Sequence, residues 1–177
     1  MKAFSNLLSD LILTSSRNRK LSLLEQYFSS TPDPDRGYAL AALTGSLNFK
    51  NIKASFFKDL IKEKQDEHLF DLSYDYVGDL AETISLLWDQ EKGGNMPRLS
   101  SLFENLKKAK NDELRNHIIN ILNISTADQR WAFIKLFTGG LRIGVSSRLV
   151  KQALANYGNV NLDEIEKIWH GLHFPYI

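Results

Sequence analysis

The sequence predicts an all-α protein, and three observations support this class. Apolar residues recur at helical spacing along almost the whole chain, and no run of strict alternation reaches the length of a strand. Clusters of glycine or proline, such as Thr31-Pro-Asp-Pro and Lys92-Gly-Gly-Asn-Met-Pro, interrupt the periodic segments. The pairs Thr126-x-x-Gln129 and Asn161-x-x-Glu164 have the spacing of N-terminal capping arrangements. We therefore expect a compact multi-helix domain of about ten helices.

In the first half of the chain, apolar stripes define the helices. The first helix has the stripe Phe4, Leu7, Leu8, Leu11 and Ile12, and the second has Leu21, Leu24, Tyr27 and Phe28. The prolines in Thr31-Pro-Asp-Pro-Asp-Arg-Gly end that helix, because each proline biases the residue before it away from helical angles. Further helices are predicted over residues 36–44, 50–64 and 76–89.

The second half begins with the strongest linker signal, Lys92-Gly-Gly-Asn-Met-Pro, which would divide two lobes near residues 92–97. Helices are predicted at Pro97–Ala109 and Asp112–Leu122, and further helix starts at Thr126, at Ser146 or Ser147, and at Asn161. The segment Ala42-Leu-Thr-Gly-Ser-Leu resembles Leu136-Phe-Thr-Gly-Gly-Leu. A second interpretation is therefore that the two lobes are duplicated, pseudo-symmetric halves.

The composition is that of a globular domain. The 177 residues are 43% apolar and 24% charged, which is enough to bury a core. The absence of cysteine excludes disulfides, thiolate zinc sites and a cysteine nucleophile. No stretch reaches the roughly 20 apolar residues that a membrane helix needs. We expect a protein with no membrane partner, located in the cytoplasm.

Charge is separated along the chain, although the net charge is only +1. Residues 63–91 contain nine carboxylates against one base, Lys64, and therefore repel phosphate. Three windows contain bases and no acid: 11–24, 36–58 and 129–162. The last of these contains Arg130, Lys135, Arg142, Arg148 and Lys151.

The most informative segment is Lys135-Leu-Phe-Thr-Gly-Gly-Leu-Arg-Ile-Gly-Val-Ser-Ser-Arg-Leu-Val-Lys. Its glycines end one helix, and Ser146 or Ser147 can cap the next. The free amides and the dipole at the start of that second helix favour a bound anion. Arg148 and Lys151 share one face beside that start. Thr14-Ser-Ser-Arg-Asn-Arg-Lys repeats the arrangement. Together these features fit the phosphates of a nucleic-acid backbone; the alternative is a set of solvated helix caps.

Catalysis finds little support in the residues. The four histidines are scattered, no His-Glu-x-x-His pair occurs, and no glycine pattern matches a nucleotide-binding loop. The carboxylates of residues 63–91 are more typical of a solvated face or an interface than of acid-base chemistry. We predict no catalytic, cofactor-binding or metal site in this chain.

At these same residues the chain resembles the N-terminal DNA-binding domain of ATP-dependent DNA ligases, particularly the bacterial branch. The resemblance covers nearly the whole chain, and it implies that residues 1–177 form one such domain. Four segments carry it: Thr14-Ser-Ser-Arg-Asn-Arg-Lys, Tyr74-Asp-Tyr-Val-Gly-Asp-Leu-Ala-Glu-Thr, Thr138-Gly-Gly-Leu-Arg-Ile-Gly-Val and Ile168-Trp-His-Gly-Leu. It implies an all-helical domain that wraps nicked duplex DNA through the minor groove and contacts the backbone without reading sequence.

In such ligases a following nucleotidyltransferase domain carries a lysine in a Lys-x-Asp-Gly motif. That lysine attacks ATP, and the AMP then passes to the 5′ phosphate of the nick with help from magnesium and an OB-type domain. No Asp-Gly dipeptide occurs in this chain. The resemblance therefore implies a catalytically inactive part of a longer ligase, with the catalytic domains outside these residues and residues 170–177 leading toward them. ATP and magnesium would be cofactors of the parent enzyme only.

The resemblance also implies the partners and the contacts. The partners are nicked double-stranded DNA and the ligase's own nucleotidyltransferase and OB domains, in a monomer that serves DNA repair, replication or recombination at the nucleoid. The predicted DNA-binding residues are Arg17, Lys20, Lys53, Thr138, Gly140, Arg142, Gly144, Ser146, Arg148 and Lys151.

Two other readings of the residues remain open. An all-helical protein-interaction module without nucleic-acid binding would use the acidic stretch 63–91 as its docking face. A helical repair enzyme acting on a base would require a catalytic carboxylate in a basic cleft.

Overall fold

The computed structural model describes residues 1–47, 49, 52–89, 94–138, 141–174 and 176. Within these ranges the chain forms eleven α-helices and one short 3-10 helix at Trp169–Gly171, and it forms no strand. The all-α prediction is confirmed. The helices are α1 (Lys2–Leu13), α2 (Arg17–Ser30), α3 (Asp35–Leu43), α4 (Ala54–Lys62), α5 (Glu67–Val77), α6 (Leu80–Leu87), α7 (Leu99–Lys108), α8 (Asn111–Ile124), α9 (Ala127–Lys135), α10 (Ser147–Gly158) and α11 (Leu162–Ile168).

The helix predicted over residues 76–89 is wrong in its extent. The structure has two helices there, because Gly78 ends α5 in the left-handed region at φ 73° and Asp79 caps α6 through its side chain. Glycine adopts this angle without a steric penalty, and aspartate accepts the free amides of a helix start. The Gly-Asp pair is therefore a stop followed by a start, and α5 was missed.

Two compact units divide the chain, one formed by residues 1–2 and 49–140 and the other by residues 3–48 and 141–177. The boundary expected near residues 92–97 stays a prediction, although the described part of that linker, residues 94–97, lies inside the first unit. The divisions instead follow the two Thr-Gly segments. Thr44 and Thr138 each donate a hydroxyl hydrogen bond to the carbonyl four residues earlier, at 2.7 and 3.1 Å. Whether the halves are duplicated stays a prediction.

The core of the first unit is built around phenylalanine. The Phe137 ring lies 5.0 to 6.2 Å from the rings of Phe49, Phe57, Phe103 and Phe133. Mixed edge and tilted contacts of this kind are favoured between aromatic rings. They join α4, the segment just before it and α7 to the end of α9.

A buried arginine donates hydrogen bonds to the C-terminal ends of two helices in this unit. Arg130 has no exposed surface, and its guanidinium donates to the carbonyls of Leu122 at 2.6 Å, Trp88 at 3.0 Å and Ser85 at 3.3 Å. Burial lowers the pKa of Arg130, and the charge of Asp89 partly offsets this effect. Carbonyls at helix C-termini lack partners within the helix. Arg130 therefore supplies donors to the ends of α6 and α8.

In the second unit, α2 and α10 pack against each other. Lys20, in the first turn of α2, bonds to carbonyls just before α10, while Asn156, near the end of α10, donates to Glu25 farther along α2 at 2.5 Å. The two helices therefore run in the same direction. Their N-termini lie at the same end of the pair.

Candidate nucleic-acid interface

The N-termini of α2 and α10 are built alike. Ser16 caps α2, and its hydroxyl accepts from the Arg19 amide at 3.3 Å; Ser146 caps α10 and accepts from the Leu149 amide at 3.2 Å. Each serine hydroxyl keeps its proton free to donate to a ligand. The prediction of a helix start at Ser146 or Ser147 is confirmed, with Ser146 as the cap.

Both helix starts are positively charged. Neither first turn contains an acid, and three exposed arginines lie there: Arg17 and Arg19 on α2 and Arg148 on α10. The peptide dipoles already place about half a positive charge at each helix N-terminus, so cations there cost stability unless an anion is bound. Two helix starts that both carry positive charge at one end of a helix pair make this end favourable for an anion.

The turn before α10 is held by a lysine. The Lys20 amine donates to the carbonyl oxygens of Ile143 at 3.1 Å and Gly144 at 2.8 Å. The Lys20 side chain belongs to the buried face of α2, and the residue is 8% exposed. Gly144 has φ +66°, and a Cβ atom at this position would lie 2.5 Å from the Lys20 amine nitrogen. The missing side chain of Gly144 therefore leaves room for the amine.

Arg142 lies in the turn that Lys20 holds. It is exposed, although its flanking residues Leu141 and Ile143 are buried, and it makes no ion pair with any residue in the described ranges. Its φ is 45°, in the left-handed region that side-chain-bearing residues rarely adopt. Strain of this kind persists only where the surroundings impose it. Here the buried neighbours and the Lys20 hydrogen bonds do so.

The other cations of the window 129–162 are already paired or buried. Lys151 lies 2.5 Å from a carboxylate oxygen of Glu166 and 4.7 Å from the centre of the Trp169 ring, and its side chain is 14% exposed. Lys135 pairs with Asp79. With Arg130 buried as well, Arg142 and Arg148 are the exposed cations without an ion-pair partner that the described part of residues 129–162 retains.

The remaining predicted contacts belong to the first unit. Lys53 is exposed at the residue before α4, and Thr138 is half-buried with its hydroxyl bonded to the Ile134 carbonyl. Gly140 lies outside the described residues. The predicted DNA-contact role of these residues, like that of the second-unit set, stays a prediction.

An exposed cation at the start of α2 is absent from the predicted set. Arg19 is exposed on α2, whereas Lys20, which was included, lies on the buried face. The signal was present in the spacing, because Lys20 precedes the buried residues Leu24 and Tyr27 by four and seven positions, which places all three on one helical face.

The Gly-Asp-Leu-Ala-Glu segment is a structural joint. Asp79 accepts from the Glu82 amide at 3.0 Å and also bonds to Lys135 on α9. Burial raises the pKa of the Asp79 carboxyl, but the hydrogen bonds from Lys135 and from the backbone outweigh it and leave the pKa below its ordinary value. The segment thus ties α6 to α9.

Among the described residues no three histidine or acidic side chains lie close enough together to hold a metal ion. In the same ranges no helix is both long and apolar enough to cross a membrane.

Comparison with protein-family models identifies a match over most of the chain. The family model described as DNA ligase N terminus matches residues 1–155, which include both serine-capped helix starts and the joint at Asp79. No curated protein matches the chain significantly.

Proposed function

Because this chain belongs to the family of DNA ligase N-terminal domains, we propose that the serine-capped starts of α2 and α10 bind the backbone phosphates of nicked duplex DNA. The observation that carries the proposal is the pair of acid-free helix N-termini at one end of the α2 and α10 pair, with Arg17, Arg19 and Arg148 exposed there. Backbone amides, hydroxyls and arginines are the groups that contact phosphate without reading base sequence.

The residues of this surface would act in two ways. Arg17, Arg142 and Arg148 would pair with phosphates directly, and the Ser146 hydroxyl would donate to a phosphate oxygen while it still caps α10. Lys20 would be a positioning residue, because its amine is spent on the carbonyls that shape the 142–144 turn. Lys151 would contribute directly only if a phosphate competed with Glu166 for its amine.

Within a ligase, this binding would hold the nick for the nucleotidyltransferase and OB domains, which use ATP and magnesium. The present residues would take no part in the chemistry. We propose contacts along the minor groove on both sides of the nick, made by a monomer near the nucleoid in repair, replication or recombination.

Fluorescence anisotropy with labelled nicked and intact duplexes at several salt concentrations tests the proposal. Arg148→Glu is expected to weaken binding at least about tenfold at low salt. It should also reduce the slope of log affinity against log salt by about 0.9, the value for one lost phosphate contact.

Lys167→Glu is the matched control, since it makes the same charge change on α11 beside Asp163, Glu164 and Glu166, where phosphate is disfavoured. Equal effects of the two substitutions would contradict a specific surface at the helix starts. Equal affinity for nicked and intact duplexes would remove the preference for a nick while leaving backbone binding in place.

A further inference from the structure

Helix α5 has two apolar faces. Phe70 is buried and stacks on the half-buried Tyr74 ring at 5.9 Å, which anchors one face in the first unit. Leu69, Leu72 and Tyr76 are 47%, 56% and 93% exposed. A helix at the surface of a globular protein ordinarily presents polar residues on its outer side.

The exposed residues form one continuous line. Their spacings of three and four positions place them on the same side of the helix, about half a turn from Phe70 and Tyr74. Isolated exposed apolar residues need no explanation, but a line of them marks a surface that a partner covers. We refer to Leu69, Leu72 and Tyr76 as the outer face of α5.

The surroundings of the outer face are acidic. Seven carboxylates lie within residues 63–82 against one base in that stretch: Glu63, Asp66, Glu67, Asp71, Asp75, Asp79 and Glu82. Lysines and an arginine of the first unit neutralise part of this charge, through Lys62 with Glu67 and Asp71, Arg115 with Glu63, and Lys135 with Asp79. Asp66, Asp75 and Glu82 have no cationic partner among the described residues.

The negative charge around the outer face of α5 favours one class of binding partner over the others. Phosphate is repelled by such a surface, and so is a second copy of the same acidic face. A cationic segment is attracted to it. The apolar line adds a contact that favours an amphipathic helix, whose own apolar residues recur at i, i+3, i+4 and i+7.

We propose that the outer face of α5 binds a protein segment in which a line of apolar side chains is flanked by lysine or arginine. This docking activity is separate from DNA binding at α2 and α10. It gives the acidic stretch a role that the proposed DNA-binding function leaves unexplained.

The test uses the whole chain and, as probe, a fluorescein-labelled amphipathic helical peptide composed of leucine and lysine. The combined substitution Leu72→Ser and Tyr76→Ser is expected to raise the peptide Kd at least about tenfold, and Asp75→Lys is expected to raise it as well. Leu13→Ser is the matched control, because Leu13 is 84% exposed but stands on α1. It should leave the Kd within about twofold of the original.

Three results would overturn the proposal. One is a Kd that the double substitution changes no more than the control does. Another is equal binding of a peptide in which glutamate replaces every lysine. The third is self-association of the chain in sedimentation experiments that the double substitution abolishes, because this would assign the face to a second copy. Circular dichroism verifies that the variants fold, and their affinity for nicked DNA is expected to be unchanged.

Discussion

At the scale of single residues, the candidate DNA-binding surface depends on a fit between Lys20 and Gly144. The amine that bonds to two carbonyls occupies the space where a Cβ atom of residue 144 would lie. Exposed Arg142 lies two residues before the glycine, so the same contact sets the path of the backbone from which its side chain projects. A lysine that makes no contact with DNA would thereby control an arginine that does.

The first prediction concerns this pair. Gly144→Ala is expected to destabilise the chain by about 1–2 kcal/mol, the cost of the left-handed angle for a residue with a Cβ atom, and by more because the Lys20 amine must move. In a Lys20→Met background there is no amine to displace, so Gly144→Ala costs only the strain of the left-handed angle. Urea unfolding of the four proteins in this cycle should therefore show a smaller effect of Gly144→Ala in the Lys20→Met background. Additive effects would show that the two residues do not act as a unit.

At the scale of helices, caps decide where elements stop and how they are joined. Ser16 and Ser146 start the two helices of the candidate site, and Gly78 with Asp79 divides α5 from α6. Asp79 combines a local cap with a contact to Lys135, which is far away along the chain. The stability that this joint contributes should therefore depend on pH, because Asp79 is titratable.

Asp79→Asn tests that response. The pKa of Asp79 in the folded chain lies below the ordinary value of an aspartate, so the carboxylate stabilises the fold above the unfolded-state pKa. This contribution is lost as pH falls through the lower folded-state pKa. Asparagine keeps the cap and removes the charge.

Urea unfolding of both proteins from about pH 6 to about pH 2 is the measurement, since it spans the ordinary pKa of aspartate. The original chain should be the more stable near neutral pH, and the difference should shrink below about pH 4. A difference that does not change with pH would mean that the Asp79 charge contributes nothing.

At the scale of the whole molecule, the distribution of charge influences the approach of an anionic ligand more than the net charge does. The net charge is +1, but the starts of α2 and α10 in the second unit lack acids while the first unit contains the stretch of nine carboxylates. Local fields of this kind steer an anionic ligand toward one surface even when the total charge is close to zero.

The association rate constant with duplex DNA should therefore fall as ionic strength rises. Stopped-flow fluorescence at several salt concentrations measures it, and Arg142→Glu together with Arg148→Glu should flatten the dependence. A rate constant indifferent to salt in the original chain would contradict electrostatic steering to these helix starts.

Much of the fold could be predicted because its signals lie within a few positions of one another. Apolar spacing defined most helices, and Thr126 and Ser146 marked helix starts that the structure contains. The break between α5 and α6 was missed even though Gly78 and Asp79 are adjacent, because the apolar pattern continues across them. The residues at which the two compact units divide could not be read from local patterns, since the division depends on which helices pack together.

The sequence by itself determined most of the helices, several of their caps and the placement of bases in acid-free windows, because helical hydrogen bonds and capping connect residues about three or four positions apart. Only the tertiary structure decided which bases remain available. Arg130 is buried, Lys135 and Lys151 are paired, and Lys20 holds a turn 123 positions farther along the chain. Hydrogen bonds and ion pairs depend on distance through space, which a folded backbone sets and a list of residues does not.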